Sequence, residues 1–237
     1  KNYIKQFRRF IYDIDFYDVP ILLSMFLFNK EIKNKEDIEI ATEIMNLMDS
    51  NEVVETLKKS IKDDLKLPKV ISVIKFNKEI NLYGEIYEKY KQNPFEYYYC
   101  LEYLLKNDIF KKKSIELLSN ALNLEMHYSK PENIFGMNEK YSNNLVFIIQ
   151  ILKDYPFLGS EFIVAGIKSR YMQPRNAALN TIESWINITN RKFKDFPKKI
   201  YNAVVELQKA EIIKNYKIRI NELLEIKEDL SEYNDPP

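Results

Sequence analysis

Glycine is the residue this chain almost lacks: Gly84, Gly136, Gly159 and Gly166 are the four among 237 residues. A β-rich fold of this length, or a nucleotide-binding α/β fold, needs more of them for tight turns and phosphate loops. Helical spacing recurs instead. Ala41, Ile44, Met45 and Met48 sit at i, i+3, i+4 and i+7, and so do Leu145, Ile148, Ile149 and Leu152. Tyr97, Leu101, Leu104 and Leu105 repeat the stripe with slightly different offsets, as do Ile213, Tyr216, Ile220, Leu223 and Leu224. Each set lays one apolar face along a helix of three or four turns.

Start signals agree with the stripes. Asp49 is followed by Glu52, and Asn93 by Pro94 and Glu96, giving the cap, first-turn proline and carboxylate of a helix start. Pro20, Pro68, Pro174 and Pro197 mark further boundaries, because the residue before proline avoids the α region. The reading is all-α, with about thirteen short helices. They are expected near 2–12, 19–29, 37–48, 50–65, 69–76, 78–91, 94–106, 112–126, 142–154, 160–170, 174–188, 197–211 and 213–229. The segment 127–141 is the one long loop. It reads as a surface linker, or as a division between 1–126 and 142–237 within an otherwise single array spanning 1–237.

Bulk composition narrows the chemistry. Hydrophobic residues make up 46% and charged residues 30%, as in a soluble folded protein. Lys and Arg total 36 against 35 Asp and Glu, so the basic excess of a phosphate-binding protein is missing. Cys100 and His127 are single, which removes an intrachain disulfide, thiolate zinc sites and any site needing two imidazoles. These counts fit a reducing, cytoplasmic setting. The longest apolar stretch, Val19–Phe28, is interrupted by Ser24 and too short to span a bilayer. No signal peptide is evident. The start at Lys1 rather than Met reads as trimmed, and Asp235-Pro236-Pro237 as a frayed stop. The abundance of Lys, Asn, Ile and Tyr with little Arg reads as the codon bias of an AT-rich genome.

Ser160–Ile188 is the most distinctive stretch. Phe162, Ile163, Gly166 and Ile167 form a first helix, and Tyr171-Met172-Gln173-Pro174 a tight turn. Arg175, Ala178, Leu179, Ile182 and Ile186 then run along a second helix. This resembles a HEAT repeat of the armadillo/HEAT superfamily, whose second helix opens with an Arg and continues with Ala-Leu and another aliphatic residue. Asn120-Ala121-Leu122 and Asn202-Ala203-Val204-Val205 are similar in outline. The resemblance implies a superhelix of antiparallel helix pairs, repeating about every 40 residues, that binds a protein on its concave face. The Asp usually placed just before the Arg is replaced by Gln173-Pro174, which argues against an Asp–Arg ladder between repeats.

Candidate contact residues fall into two groups. Tyr83, Tyr87 and Tyr90 lie at helical spacing and Tyr98 follows in a Tyr97-Tyr98-Tyr99 run. Tyrosines supply large amphipathic contact area for a partner, and equally well pack helix against helix with their hydroxyls at the rim. Lys168, Arg170, Arg175 and Arg191 lie in one short span and suit an acidic partner, although Glu161 and Glu183 interspersed among them also fit a solvated face. Asp13, Asp15 and Asp18 are candidate oxygen ligands for a divalent cation, without the glycine or terminal Glu of an EF-hand loop. Asp18 equally serves as a helix cap. A Cys100–His127 dyad is conceivable for nucleophilic catalysis, but Cys100 sits inside a helical stripe, where a thiol behaves as a small hydrophobe. Trp185 reads as core. No phosphate loop, dinucleotide fingerprint or nucleophile elbow occurs.

These features favour a non-enzymatic scaffold for another protein, with no cofactor and no membrane or nucleic-acid partner. A narrower form is a bacterial immunity or antitoxin-type protein that covers a toxin's active surface. The alternative, a DNA-binding enzyme resembling the HEAT-like alkylpurine DNA glycosylases, is opposed by the balanced charge and the single Trp185.

Overall fold

The structure, a computed structural model, describes residues 42, 50–74, 80–135 and 140–227. Among these the chain is all-α, with ten α-helices and no strand. The helices are α1 (Ser50–Ile61), α2 (Leu67–Ile74), α3 (Tyr83–Tyr90), α4 (Leu101–Leu104), α5 (Asp108–Ala121), α6 (Lys140–Leu152), α7 (Ser160–Ile167), α8 (Met172–Thr189), α9 (Lys198–Ala210) and α10 (Lys214–Leu223). Each corresponds to one of the last ten expected from the sequence. The first three, at 2–12, 19–29 and 37–48, lie outside the described residues apart from Thr42, which is helical.

Boundaries moved where local polar chemistry overrode the apolar stripe. α1 stops at Ile61 instead of running to 65, because the Asp63 carbonyl takes the Lys66 and Leu67 amides in a turn, and its side chain takes the Leu65 amide. α5 starts four residues early, since Asn107 Oδ1 accepts the Ile109 amide at 2.9 Å and caps the helix. The expected helix 94–106 is the largest departure: it survives only as a 3-10 turn at Tyr98–Cys100 followed by α4. Its first residues are drawn onto α6, where Asn144 Nδ2 donates to the Phe95 carbonyl at 3.1 Å and Lys140 pairs with Glu96. At the other end, α10 stops at Leu223 rather than 229. Glu225 takes a left-handed φ of 56° and the Ile226 amide reaches back to the Asn221 carbonyl, a Schellman-type stop made without glycine.

The chain divides into two compact units. Unit 1 takes the residues up to Asn93 together with Tyr99–Lys112; unit 2 takes Pro94–Tyr98 and everything from Lys113 on. The border therefore falls around 93–113, and the segment 127–141 lies within unit 2. In unit 1, α1 packs on α2 and α3, and α3 on α4. Leu57, Leu67, Val70, Leu82, Ile86 and Leu104 are fully buried among them. Each such side chain contributes on the order of 1.5–3 kcal/mol relative to exposure.

In unit 2, α7 packs on α6, α8 and α9, α8 packs on α6 as well, and α9 packs on α10. Gly166 makes the closest approach possible: a Cβ there would stand 2.6 Å from Ile149 Cδ1, 2.9 Å from the Pro174 carbonyl and 3.0 Å from Ala178 Cβ. Small residues at Gly166, Ala177 and Ala178 thus let α6, α7 and α8 meet. α8 also finishes α6: Trp185 Nε1 donates to the Leu152 carbonyl at 3.1 Å and Thr181 to that of Ile149 at 3.3 Å. Those last-turn carbonyls have no partner within their own helix. Trp185 is fully buried, as its place on the stripe predicts.

Candidate contact surfaces and a buried arginine joint

Among the described residues of unit 1, Tyr83, Tyr87, Tyr103 and Phe110 form one aromatic cluster beside α3. Tyr83 stacks on Tyr103 with ring centroids 4.2 Å apart, Phe110 lies 6.2 Å from Tyr83, and Tyr87 is tilted against Phe110 at 5.2 Å. Tyr103 is buried and its hydroxyl is fully used, donating to the Ile80 carbonyl at 3.0 Å and accepting from the Leu82 amide at 3.1 Å. Burial pushes its pKa up to about 12. Tyr83 and Tyr87 remain half-exposed. Tyr90 is fully buried and leaves the partner-facing set, although its i+7 spacing from Tyr83 puts the two on one face of α3.

Beside this cluster an open cleft of about 940 Å³ runs between α1 and α3. Its charges are mostly matched. Lys58 contacts Glu55 at 3.2 Å and Glu85 at 3.4 Å, Lys89 contacts Asp64, and Glu88 contacts Lys91 at 2.7 Å. Lys59 and Lys62 on its α1 rim are exposed. A cleft lined this way has little net charge with which to select a charged ligand.

Tyr98 belongs to unit 2, whereas Tyr83, Tyr87 and Tyr90 belong to unit 1. It stacks at 5.5 Å on Phe147 of α6, which is 46% exposed, and Phe95 stacks on Tyr141 nearby.

The four basic residues do not converge. Lys168 and Arg170 flank the α7–α8 turn, whereas Arg191 lies past the far end of α8. Those two ends are separated by 18 residues of helix, about 27 Å at 1.5 Å per residue. Lys168 pairs with Glu206 at 2.9 Å and sits over the Tyr128 ring; Arg170 pairs with Glu132 at 3.0 Å and sits over Tyr171. Arg191 is exposed over Phe157.

Arg175 is the correction that matters most: it is 0% exposed, so it is no surface contact. Its Nε donates to Glu211 at 3.0 Å, Nη1 to the carbonyls of Ser169 and Arg170 at 3.1 and 2.6 Å, and Nη2 to that of Glu132 at 3.0 Å. Glu211 is buried too, and its other oxygen accepts the Ile212 and Ile213 amides at 3.0 Å each, at the start of α10. Burial pulls the guanidinium pKa below its usual range, and Glu211 pulls it back up. One planar fork thereby ties the loop at 132, the turn at 169–170, α8 and the α9–α10 junction together. The acidic partner missing before Arg175 in sequence is supplied 36 residues later. A charged residue between Ala210 and Ile212-Ile213 was the only sequence sign of it.

A second, more open net joins the same helices. Arg219 of α10 donates to Asn176 and Asn180, at 2.7 Å each, and to Glu183 at 2.8 Å. Sequence reasoning passed over it because its members are ordinary polar residues on solvated faces.

The catalytic candidates fare as follows. Cys100 is buried and its thiol is pushed up to about 12 by burial, so little of the reactive thiolate forms near neutral pH. The His127 side chain and Asp13, Asp15 and Asp18 lie outside the described residues. Among the described residues no group of three or more His, Cys, Asp or Glu side chains is placed to hold a metal ion, and no helix is long and apolar enough to cross a membrane. No protein-family model matches this chain, and no curated protein or solved structure is significantly similar to it.

Proposed function

We propose that the chain is a HEAT-like helical-repeat scaffold that binds another protein along the second helices of its pairs, the face expected to be concave in such an array. The observation that carries this reading is the repeated pairing in unit 2. α7–α8 and α9–α10 are successive pairs, first helix packs on first helix in α7 and α9, and Arg175 reaches an acid 36 residues on, close to one repeat length. Stacked pairs of this kind present long rows of side chains on rigid backbones, which suits an extended protein contact. Arg219, half-buried and held by three α8 side chains, is ordered before a partner arrives, which lowers the entropic cost of contact. Tyr83, Tyr87, Tyr98, Lys168, Arg170 and Arg191 remain as accessible contact residues. A bacterial immunity or antitoxin-type role would be a special case, with a toxin as the partner.

Affinity capture from the source cells, run with and without nuclease, tests the reading. A stoichiometric protein that survives nuclease is expected. Recovery of nucleic acid alone, together with tight binding to duplex DNA at low salt, would overturn it in favour of the DNA-binding alternative.

A further inference from the structure

Residues 128–135 of unit 2 cross the α7–α8 turn as an extended strap. The Ser129 amide donates to the Lys168 carbonyl at 3.0 Å, the Glu132 amide to that of Arg170 at 2.9 Å, and the Met172 amide to that of Ile134 at 2.8 Å. Bridges form between Tyr128 and Ser169 and between Ile134 and Tyr171. Side chains add the Glu132–Arg170 pair and the Tyr128 ring beneath Lys168. These are the links by which an extended peptide joins an exposed main-chain edge: backbone hydrogen bonds for affinity, alternate side chains for selection.

The strap is held differently from the helices beneath it. None of its side chains is buried, and Ile134 and Phe135 are 43% and 57% exposed. Its attachment is therefore polar and mostly solvent-accessible, the profile of a segment that opens well below the free energy of global unfolding. Arg175 makes the one bond to it from a fully buried side chain. If the strap leaves, the guanidinium loses the Glu132 carbonyl and keeps Glu211, Ser169 and Arg170.

We propose that the α7–α8 turn, residues 168–172, is a docking edge for an extended segment of a partner that carries a carboxylate to meet Arg170, and that the strap occupies it in cis as a built-in competitor. The strap states the ligand chemistry: a carboxylate at the place of Glu132 to meet Arg170, an aromatic ring four residues before it to meet Lys168, and main chain for the rest. This deepens the protein-binding reading and rests on it for the natural occupant, whereas the opening of the strap stands by itself.

Two measurements on the full chain test it without any unidentified partner. Hydrogen exchange should show the Ser129 and Glu132 amides exchanging together, at least about tenfold faster than the buried core of α8 around Leu179 and Ile182. Strap amides as slow as those of α8 would overturn the proposal, whichever variants fold. A labelled peptide with the sequence of residues 128–135 should bind the folded Glu132→Pro chain, or the Ser129→Pro chain, each of which lacks one strap amide. The same peptide should bind the unmodified chain at least about tenfold more weakly, since the cis strap competes, and Arg170→Ala in the opened chain should remove binding. No binding to a folded strap-opened chain would sink the docking edge even if lysate capture had succeeded.

Discussion

The two units satisfy their buried polar groups in opposite ways. Unit 1 buries a neutral hydroxyl, that of Tyr103, inside an aromatic cluster and gives it two backbone partners. Unit 2 buries a full ion pair and spreads one guanidinium over a carboxylate and three carbonyls drawn from separate segments. A neutral hydroxyl costs little to desolvate and its loss leaves only dipoles unpaired. A buried charge costs several kcal/mol to desolvate, and removing its charged partner leaves that cost uncompensated. Unit 1 should therefore tolerate losing its polar centre, and unit 2 should not.

The sharpest way to break this contrast is Arg175→Ala. It takes the countercharge from Glu211, a buried carboxylate that keeps the Ile212 and Ile213 amides, and a loss of about 3–5 kcal/mol is expected from urea unfolding followed by Trp185 fluorescence, which reports on unit 2. Replacing the pair together, Arg175→Met with Glu211→Leu, should recover part of that loss. It cannot recover all, because the carbonyls of Ser169, Arg170 and Glu132 each lose the bond from the guanidinium, and only that of Arg170 keeps the Glu132 amide shown on it. An unchanged midpoint in Arg175→Ala would mean the joint contributes nothing.

Gly166→Ala asks whether the close approach in unit 2 is as tight as its geometry implies. Ile149 Cδ1 is the end of a flexible side chain and can give, but the Pro174 carbonyl is backbone and cannot. Overpacking of about 1–3 kcal/mol is expected on the same denaturation curve. A neutral result would show that α7 and α8 separate without cost.

Tyr103→Phe is the corresponding cut in unit 1 and should cost about 1–2 kcal/mol, since the Leu82 amide and Ile80 carbonyl lose their partner while the ring stays packed. The same residue carries a pH signature. Its folded pKa, about 12, lies above the unfolded tyrosine value near 10, so the folded state holds the proton longer. The stability it contributes is fully present below pH ~10 and is lost as pH rises toward 12. Ultraviolet titration of tyrosinate in the folded chain, against Tyr103→Phe, should show one late-titrating ring missing from the variant.

The smallest effect is at Cys100. With its thiol pushed up to about 12, alkylation at pH 8 should be negligible in the folded chain and complete in urea. Rapid labelling of the native protein would place the thiol at the surface and contradict the packing of unit 1.

How far the sequence could be read follows from the range of each interaction. The apolar stripe of α6, the proline boundary before α9, and the burial of Trp185 and Cys100 depend on spacing and side-chain type within a few residues, and they were legible; Pro174, expected to precede α8, lies inside it. The early start of α5 was also local, in Asn107, but the apolar stripe outweighed that one cap. The collapse of 94–106 could not be seen in this way, because Asn144 and Lys140 take hold of it from more than forty residues away. Among the site residues, helical spacing grouped Tyr83, Tyr87 and Tyr90 correctly on one helix and could not say which ring faced the core.

The sequence by itself determined the helical class and most of the helix positions, because a shortage of glycine and a 3.6-residue apolar period leave the backbone few other ways to satisfy its hydrogen bonds. Only the tertiary structure decided what the charges do. Arg175, Lys168 and Arg170 look alike in a one-dimensional string. The first became a buried joint because the fold brings Glu211 and three main-chain carbonyls within about 3 Å of a single guanidinium. That convergence depends on how helices pack across 36 residues of chain, and no local pattern encodes it.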